Sequence, residues 1–183
     1  MRKLKIYLHS MGVRVVAKQN DYFTTLPGGS FLLIPQSILI EIKLHAQHRL
    51  RDLEAGGIII GALRRKDSRP MSLTLPPHIE VIGITTPFAD DDRTRNSFVR
   101  KSKSHIKAVK KAKLASNNNI DYLGEWHTHP EDNPSPSGVD QLHWEKNLFN
   151  RHAVLIIVGR KSIWLGYWDG KVAVKLPALK LDK

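Results

Sequence analysis

Cysteine is absent from the chain, and with it go disulfide staples, cysteine-rich zinc ribbons and thiol nucleophiles. Any metal has to be held by histidine and carboxylate ligands. The same absence fits a reducing, cytosolic compartment. Long apolar runs are also lacking: nothing approaches the ~18 apolar residues that a membrane-spanning helix needs. The opening segment starts basic at Lys3 and Lys5 and then turns apolar, as a secretion signal would. His9 and Arg14 interrupt it, and no small-residue cleavage site follows. The sequence therefore reads as a soluble, cytoplasmic protein with no membrane partner.

Acidic residues are the third shortage. Asp and Glu number 17 against 29 Lys and Arg, which leaves a net charge of +12 and favours acidic partners, nucleic acid among them. The surplus is concentrated, since Arg100, Lys101, Lys103, Lys107, Lys110, Lys111 and Lys113 fall within fourteen residues. Drawn as a helix over Ser104–Ser116, this stretch puts Lys107, Lys110 and Lys111 on one side. Ala108, Val109, Ala112 and Ala115 lie on the other, which suits docking on a sheet. No aromatic residue interleaves with the lysines, so the stacking half of a single-strand nucleic-acid site is missing.

What remains is an ordinary globular composition. At 183 residues with 41% apolar content the chain can bury a core as one domain, and no repeat or linker divides it. Residues 1–30 read as an N-terminal extension carrying an added strand around Val13–Ala17, and residues 31–183 as the main domain. Phe31–Ile34 is a short strand stopped by Pro35. Ser37 caps a helix to about Leu53, with Leu39, Ile42, Ala46, Leu50 and Leu53 at three- and four-residue steps. His45 and His48 ride on its surface.

A buried strand continues through Ile58–Ile60, a polar turn covers Arg64–Pro70, and a central strand covers Ile79–Ile84. Residues 86–103 form an irregular, charged loop in which Asp90–Asp92 lack calcium-loop spacing. Strands follow at Tyr122–His129 and Ala153–Val158. Ser162–Trp168 and Lys171–Leu176 flank Asp169-Gly170, a two-residue hairpin signal. Trp164 and Trp168 share a strand face and belong to the core or cover an edge. Strands and helices interleave, which predicts an α/β single-domain mixed β-sheet with packed helices.

The chemistry concentrates in residues 127–140. His127 and His129 lie two apart, so on a strand both point to one face and reach one ion. Seven residues intervene before Ser137, and Asp140 follows three further on. Two histidines and a carboxylate leave a fourth tetrahedral position for water, the arrangement of catalytic rather than structural zinc. Pro130, Pro134 and Pro136 make the intervening loop rigid enough to return Asp140 to the ion. Ser137 also suits the N-cap of a helix through Val139, Leu142 and Phe149. A zinc hydrolase needs a general base, and two glutamates compete. Glu125 shares the strand face of His127, and Glu54 opens the glycine-punctuated run to Gly61. Spacing alone leaves both open.

Taken together, Glu54, His127, His129, Ser137 and Asp140 resemble the JAMM motif of the MPN+ metalloprotease family, which includes deubiquitinase-type isopeptidases. The resemblance covers about residues 35–168. It implies an MPN/JAB-like fold with a cytidine-deaminase-like architecture. It also implies Zn²⁺ on His127, His129 and Asp140, with Glu54 as general acid/base and Ser137 helping to hold the oxyanion.

A narrower likeness, in Tyr122–Glu131 with Arg95–Arg100 upstream, is to compact bacterial JAB-type proteins. Some of those are encoded beside E1- and E2-like proteins in mobile elements and antiphage operons. That likeness makes Glu125 and Trp126 substrate-facing or supporting residues. The function it implies is cleavage of an amide after the C-terminus of a ubiquitin-like or conjugated protein. Two alternatives follow from the same motif. One is a RadC-like protein of DNA metabolism, which the basic charge suits. The other is a non-catalytic MPN scaffold, whose relatives lack motif residues that are all present here.

Overall fold

In the computed structural model, which describes residues 7–10, 13–16, 21–64, 72, 76–177 and 179–180, two short strands come first. They are β1 (Tyr7–Ser10) and β2 (Val13–Val16), paired antiparallel in a hairpin of their own. The main sheet opens with β3 (Tyr22–Thr25) and β4 (Phe31–Ile34). Pro35 ends β4 and stands at the N-cap of α1 (Gln36–Lys43). Next come β5 (Gly56–Arg64) and β6 (His78–Ile84), an antiparallel pair. The turn expected after Arg64 lies outside the described residues.

Inside the charged segment, β7 (Asp92–Arg93) and β8 (Phe98–Val99) form a small ladder rather than a loop without structure. Then follow α2 (Lys103–Ala115), β9 (Asp121–Thr128) and α3 (Gly138–Asn147). The chain closes with β10 (Ala153–Val158), β11 (Ser162–Trp168), β12 (Ala173–Lys175) and β13 (Leu179–Lys180).

The main sheet runs β12-β11-β10-β9-β5-β6-β4-β3, with β13 added to β11. It is mixed: β9 pairs parallel with β10 and β4 with β6, and the other neighbours are antiparallel. α3 is the crossover that parallel β9 and β10 require. All residues of β10 are buried, as an unbroken apolar run in the interior of a two-sided sheet should be. On one face lies the larger core, where Ile38, Leu39 and Ile42 of α1 meet Ile59, Val81, Trp126 and Ile156. On the other, Trp144 of α3 and Leu148 at its C-cap pack with Leu155, Ile157, Trp164 and Trp168. Trp144 and Trp164 stack at 5.8 Å and 10°.

β9 changes parity on its way to the site. Ile59 pairs with Gly124 and Ile60 with Tyr122, so Leu123 is an extra residue bulged out of the ladder. The bulge puts Tyr122 against the α3-side core and Leu123 in the α1-side core. Beyond it, Glu125 and His127 take the α3 side, and Trp126 and Thr128 the other. Gly124 makes this possible, with φ of 150° and Val154 O 1.9 Å from where a Cβ would stand.

Four local expectations need correction. α1 stops at Lys43, not near Leu53, and Ser37 does not cap it. The reason is Gln47, which is fully buried and donates from Nε2 to Asp52 O (3.1 Å) and Arg95 O (2.7 Å). Bringing that amide inward turns the chain out of the helix and leaves Leu44, Leu50 and Leu53 exposed. His45 is half-buried, with its ring 5.3 Å from that of Trp126, so of the two histidines only His48 is on the surface. The β11–β12 loop spans Asp169–Val172 because the Asp169 carboxylate accepts from both Lys171 N and Val172 N. Finally, α3 ends before Phe149, and its Val139 and Leu142 face solvent.

The charged segment is tied down by a buried polar chain. Asp91 Oδ2 lies 2.9 Å from His105 Nε2, and His105 Nδ1 lies 2.6 Å from Thr85 Oγ1. Thr85 Oγ1 accepts from Ile58 N at 2.8 Å, and Asp91 accepts from Ser102 N and Phe88 N. All partners are met when Asp91 accepts from Nε2–H and Nδ1 accepts the threonine proton. Burial works to raise the Asp91 carboxyl, but its backbone donors and His105 outweigh burial and hold it below the usual carboxylate range. A carboxyl depressed in the folded state stabilises above its unfolded pKa of ~3.9, and that contribution is lost as pH falls through the folded value. Asp91→Asn should therefore cost about 1–3 kcal/mol at pH 7. Urea unfolding should show the gap to wild type closing as pH falls below ~4.

Candidate metal centre

The C-terminal end of β9, the start of β5 and the N-terminus of α3 meet at one point. Gly56 pairs with His127 across the β5–β9 ladder, so Glu54, two residues upstream, arrives beside the histidines. Glycine is needed at the next rung, because a Cβ on Gly57 would stand 1.9 Å from Thr85 O. Thr128 locks the register: its N donates to Ala55 O (2.8 Å) and its Oγ1 accepts from Ala55 N (3.0 Å). The Thr128 hydroxyl donates in turn to Gln47 Oε1 at 2.9 Å. Glu54 is held further by its N on Thr94 O (2.7 Å) and by Arg93 Nε on its own carbonyl (2.7 Å).

His129 lies just past the strand, with its N donating to Val158 O at 2.9 Å. The proline-rich loop after it is pinned by the β10–β11 turn. Arg160 donates to Asp132 Oδ1 (2.6 Å) and to Pro130 O (2.9 Å). The loop delivers Ser137 to the N-cap of α3 in a complete capping box. Asp140 N donates to Ser137 Oγ (3.1 Å), and Asp140 Oδ2 accepts from Ser137 N (2.7 Å).

Four donor side chains converge here. His127 Nε2 and His129 Nε2 are 3.1 Å apart, Asp140 Oδ1 is 3.2 Å from the first, and Asp140 Oδ2 is 3.5 Å from the second. Glu54, His127 and His129 each bring a ligand atom within 4.8 Å of the others. Two imidazole nitrogens that close cannot both carry hydrogens pointing at each other. With their lone pairs and a carboxylate turned to one spot, the set fits a cation. The separations sit near the ~3.3 Å edge of a tetrahedron built on a Zn–N bond of ~2.05 Å.

The electrostatics follow. Burial pushes the Glu54 carboxyl up to about 7 against the pull of His127 and His129, with the Asp140 charge adding to the rise. Burial also works to raise Asp140, but the two histidines outweigh it and hold that carboxyl far below the usual range. Burial lowers His129, and Asp140 more than reverses this, leaving the imidazole raised.

The centre lies in a cavity of about 320 Å³ whose walls include Phe98, Val99, Arg100 and Val139. Glu125 lines it from the histidine face, with its carboxylate taken up by Trp144 Nε1 (2.9 Å) and Arg100 Nη2 (3.1 Å). Burial opposes ionisation there, but His143 and Arg100 hold the Glu125 carboxyl down at about 2. Trp126 also lines the cavity, but its indole is 1% exposed and donates to Thr85 O at 2.9 Å on the other side of the strand. Ser137 is exposed, and its hydroxyl donates to Asp140 Oδ2 at 2.7 Å.

Sequence reasoning missed Gln47, Thr128 and the Asp91–His105 pair. Thr128 sits between the two histidines and was open to notice. Gln47 carries no signal beyond a polar residue where the apolar period calls for none.

The family model for prokaryotic homologues of the JAB domain matches residues 35–166, and the chain belongs to that family. Three relatives are named CD-NTase/cGAS isopeptidase. The one from Escherichia coli is 34% identical over 136 residues, covering 74% of this chain and 80% of that protein. The Pseudomonas aeruginosa relative is 34% identical over 140 residues, covering 74% and 82%. The Vibrio cholerae relative is 38% identical over 114 residues, covering 62% and 66%. A solution structure of a Desulfitobacterium hafniense protein aligns with a TM-score of 0.45 at 20% identity, over 77% of this chain and 86% of that one. Among the described residues no helix is long and apolar enough to cross a membrane.

Elemental analysis of protein purified without chelators should find one divalent metal ion per chain, and none in the His127→Ala/His129→Ala variant. Absence of metal from wild type would count against the centre.

Proposed function

We propose that this protein is a zinc-dependent isopeptidase that cleaves an amide after the C-terminus of a conjugated protein. The names of its relatives point to a CD-NTase/cGAS-type enzyme as the protein released from the conjugate. The observation that carries the reading is the meeting of two imidazole nitrogens and the Asp140 carboxylate within 3.1–3.5 Å, beside a buried glutamate and open to a groove. A scaffold needs no such convergence.

In this reading His127, His129 and Asp140 hold the ion. Zinc bound there supplies Lewis acidity toward the scissile carbonyl and lowers the pKa of water. Glu54 moves the proton. Buried beside the two histidines, its carboxylate is placed to take a proton from the attacking water and return it to the leaving lysine amine. Breaking the C–N bond then needs no other acid. Ser137 turns its one hydroxyl proton from Asp140 Oδ2 to the developing oxyanion, while its Oγ still accepts from Asp140 N and caps α3. Glu125 holds Arg100 at the groove wall, which presents a cation to the incoming tail.

Glu54→Gln tests the assignment of roles. It should lower turnover of a conjugate by at least ~10²-fold and leave the metal content at one per chain. Loss of metal in that variant would make Glu54 a ligand, and the division of roles would be wrong.

A further inference from the structure

Glu125 is a buried carboxylate for which hydrolysis has no use. It lies on β9 two residues before His127 and on the same face, with its side chain 11% exposed. Both of its oxygens are engaged, and each engagement joins β9 to another part of the chain. Oε1 accepts from Trp144 Nε1 at 2.9 Å and lies 3.5 Å from His143 Nδ1, both on α3. Oε2 accepts from Arg100 Nη2 at 3.1 Å, in the segment between β8 and α2.

The two α3 partners follow Asp140 at three and four residues, which is one helical turn. Strand and helix therefore lie side by side and touch at two rungs. One rung is His127 with Asp140, and the other is Glu125 with Trp144. Two residues of strand advance ~6.7 Å, and four residues of helix advance ~6 Å, so both rungs can close without bending either element. Resting on the reading of Asp140 as a metal ligand, we infer that Glu125 is a positioning residue that sets Asp140 against the two histidines by clamping α3 to β9 through Trp144.

The second rung is the stronger of the two before any ion binds. It is buried, and its N–H donates to a charged acceptor, which makes a short, strong hydrogen bond. The Trp144 ring is fixed independently by its stack on Trp164 of β11. The helix is thus referenced to two strands of the sheet, and the first turn, carrying Ser137 and Asp140, projects from that anchored second turn. Without the clamp, α3 would keep its stack on Trp164 and the Arg160 hold on the loop before it, but among the described contacts its polar ties to β9 would be reduced to His127 with Asp140.

Zinc affinity, measured by competition with a chromophoric chelator, separates positioning from mere stability. The variants are Asp140→Ala, Glu125→Ala, Glu125→Gln and Trp144→Phe, each followed in parallel by thermal unfolding. Trp144→Phe keeps an aromatic ring against Trp164 while removing the donor together with part of the buried indole volume, whose cost the thermal unfolding reads separately. Trp144→Phe and Glu125→Ala should each weaken zinc binding by ~10–100-fold, the range for residues that orient ligands. Glu125→Gln, which retains an acceptor oxygen, should fall between Glu125→Ala and wild type.

Wild-type zinc affinity in Trp144→Phe and Glu125→Ala, with only a lowered Tm, would overturn the inference while leaving the metal centre intact. Wild-type affinity in Asp140→Ala would instead remove the ligand assignment on which it rests. If Glu125→Ala does not fold, Trp144→Phe decides.

Discussion

Everything at the metal centre depends on the register of β5 against β9. The pairing of Gly56 with His127 brings the glutamate of one strand's entry beside the histidines of the other strand's exit. A one-residue slip would turn every side chain to the opposite face. Two devices forbid the slip. Close backbone approach at Gly57 accepts no side chain. Thr128 grips Ala55 through both its backbone N–H and its hydroxyl, and Gln47 completes the bond behind it. Because Gln47 also holds Arg95 O, the same buried amide links the strand pair to the segment that walls the groove.

The second constraint is charge. Acceptors converge on one spot, and the site manages their mutual repulsion unequally. Asp140 is kept ionised by the histidines and by donors at the helix N-terminus, where a negative charge is favoured. Glu54, buried and close to Asp140, is left with a proton affinity near neutrality. The two neighbouring carboxyls are thus held in different states by their surroundings. Glu125, a third carboxylate only two residues from His127, is removed from this contest by Arg100 and α3.

Much of this was legible in the sequence, and the parts that were not share a cause. The His127–Asp140 spacing, the glycine-punctuated strand after Glu54 and the fully apolar β10 are local patterns, and each appears where its period puts it. What stayed hidden depends on long-range partners. The early end of α1 is decided by Gln47, whose partners lie at Asp52, Arg95 and Thr128. The burial of Asp91 is decided by His105, fourteen residues on. The bulge at Leu123 depends on Gly124 lying against Val154. Trp126, read with Glu125 as a substrate-facing or supporting residue, has its indole turned by strand alternation into the core. Helix periodicity misled in a similar way, since it selects a face without saying whether the chain covers it.

The capping box of α3 makes one anion serve two masters. Asp140 Oδ2 closes the helix terminus through Ser137, and Oδ1 faces His127. Unwinding the first turn of the helix therefore carries the carboxylate away from the histidines in the same motion, so the geometry of the acceptor cluster and the integrity of the helix terminus stand or fall together.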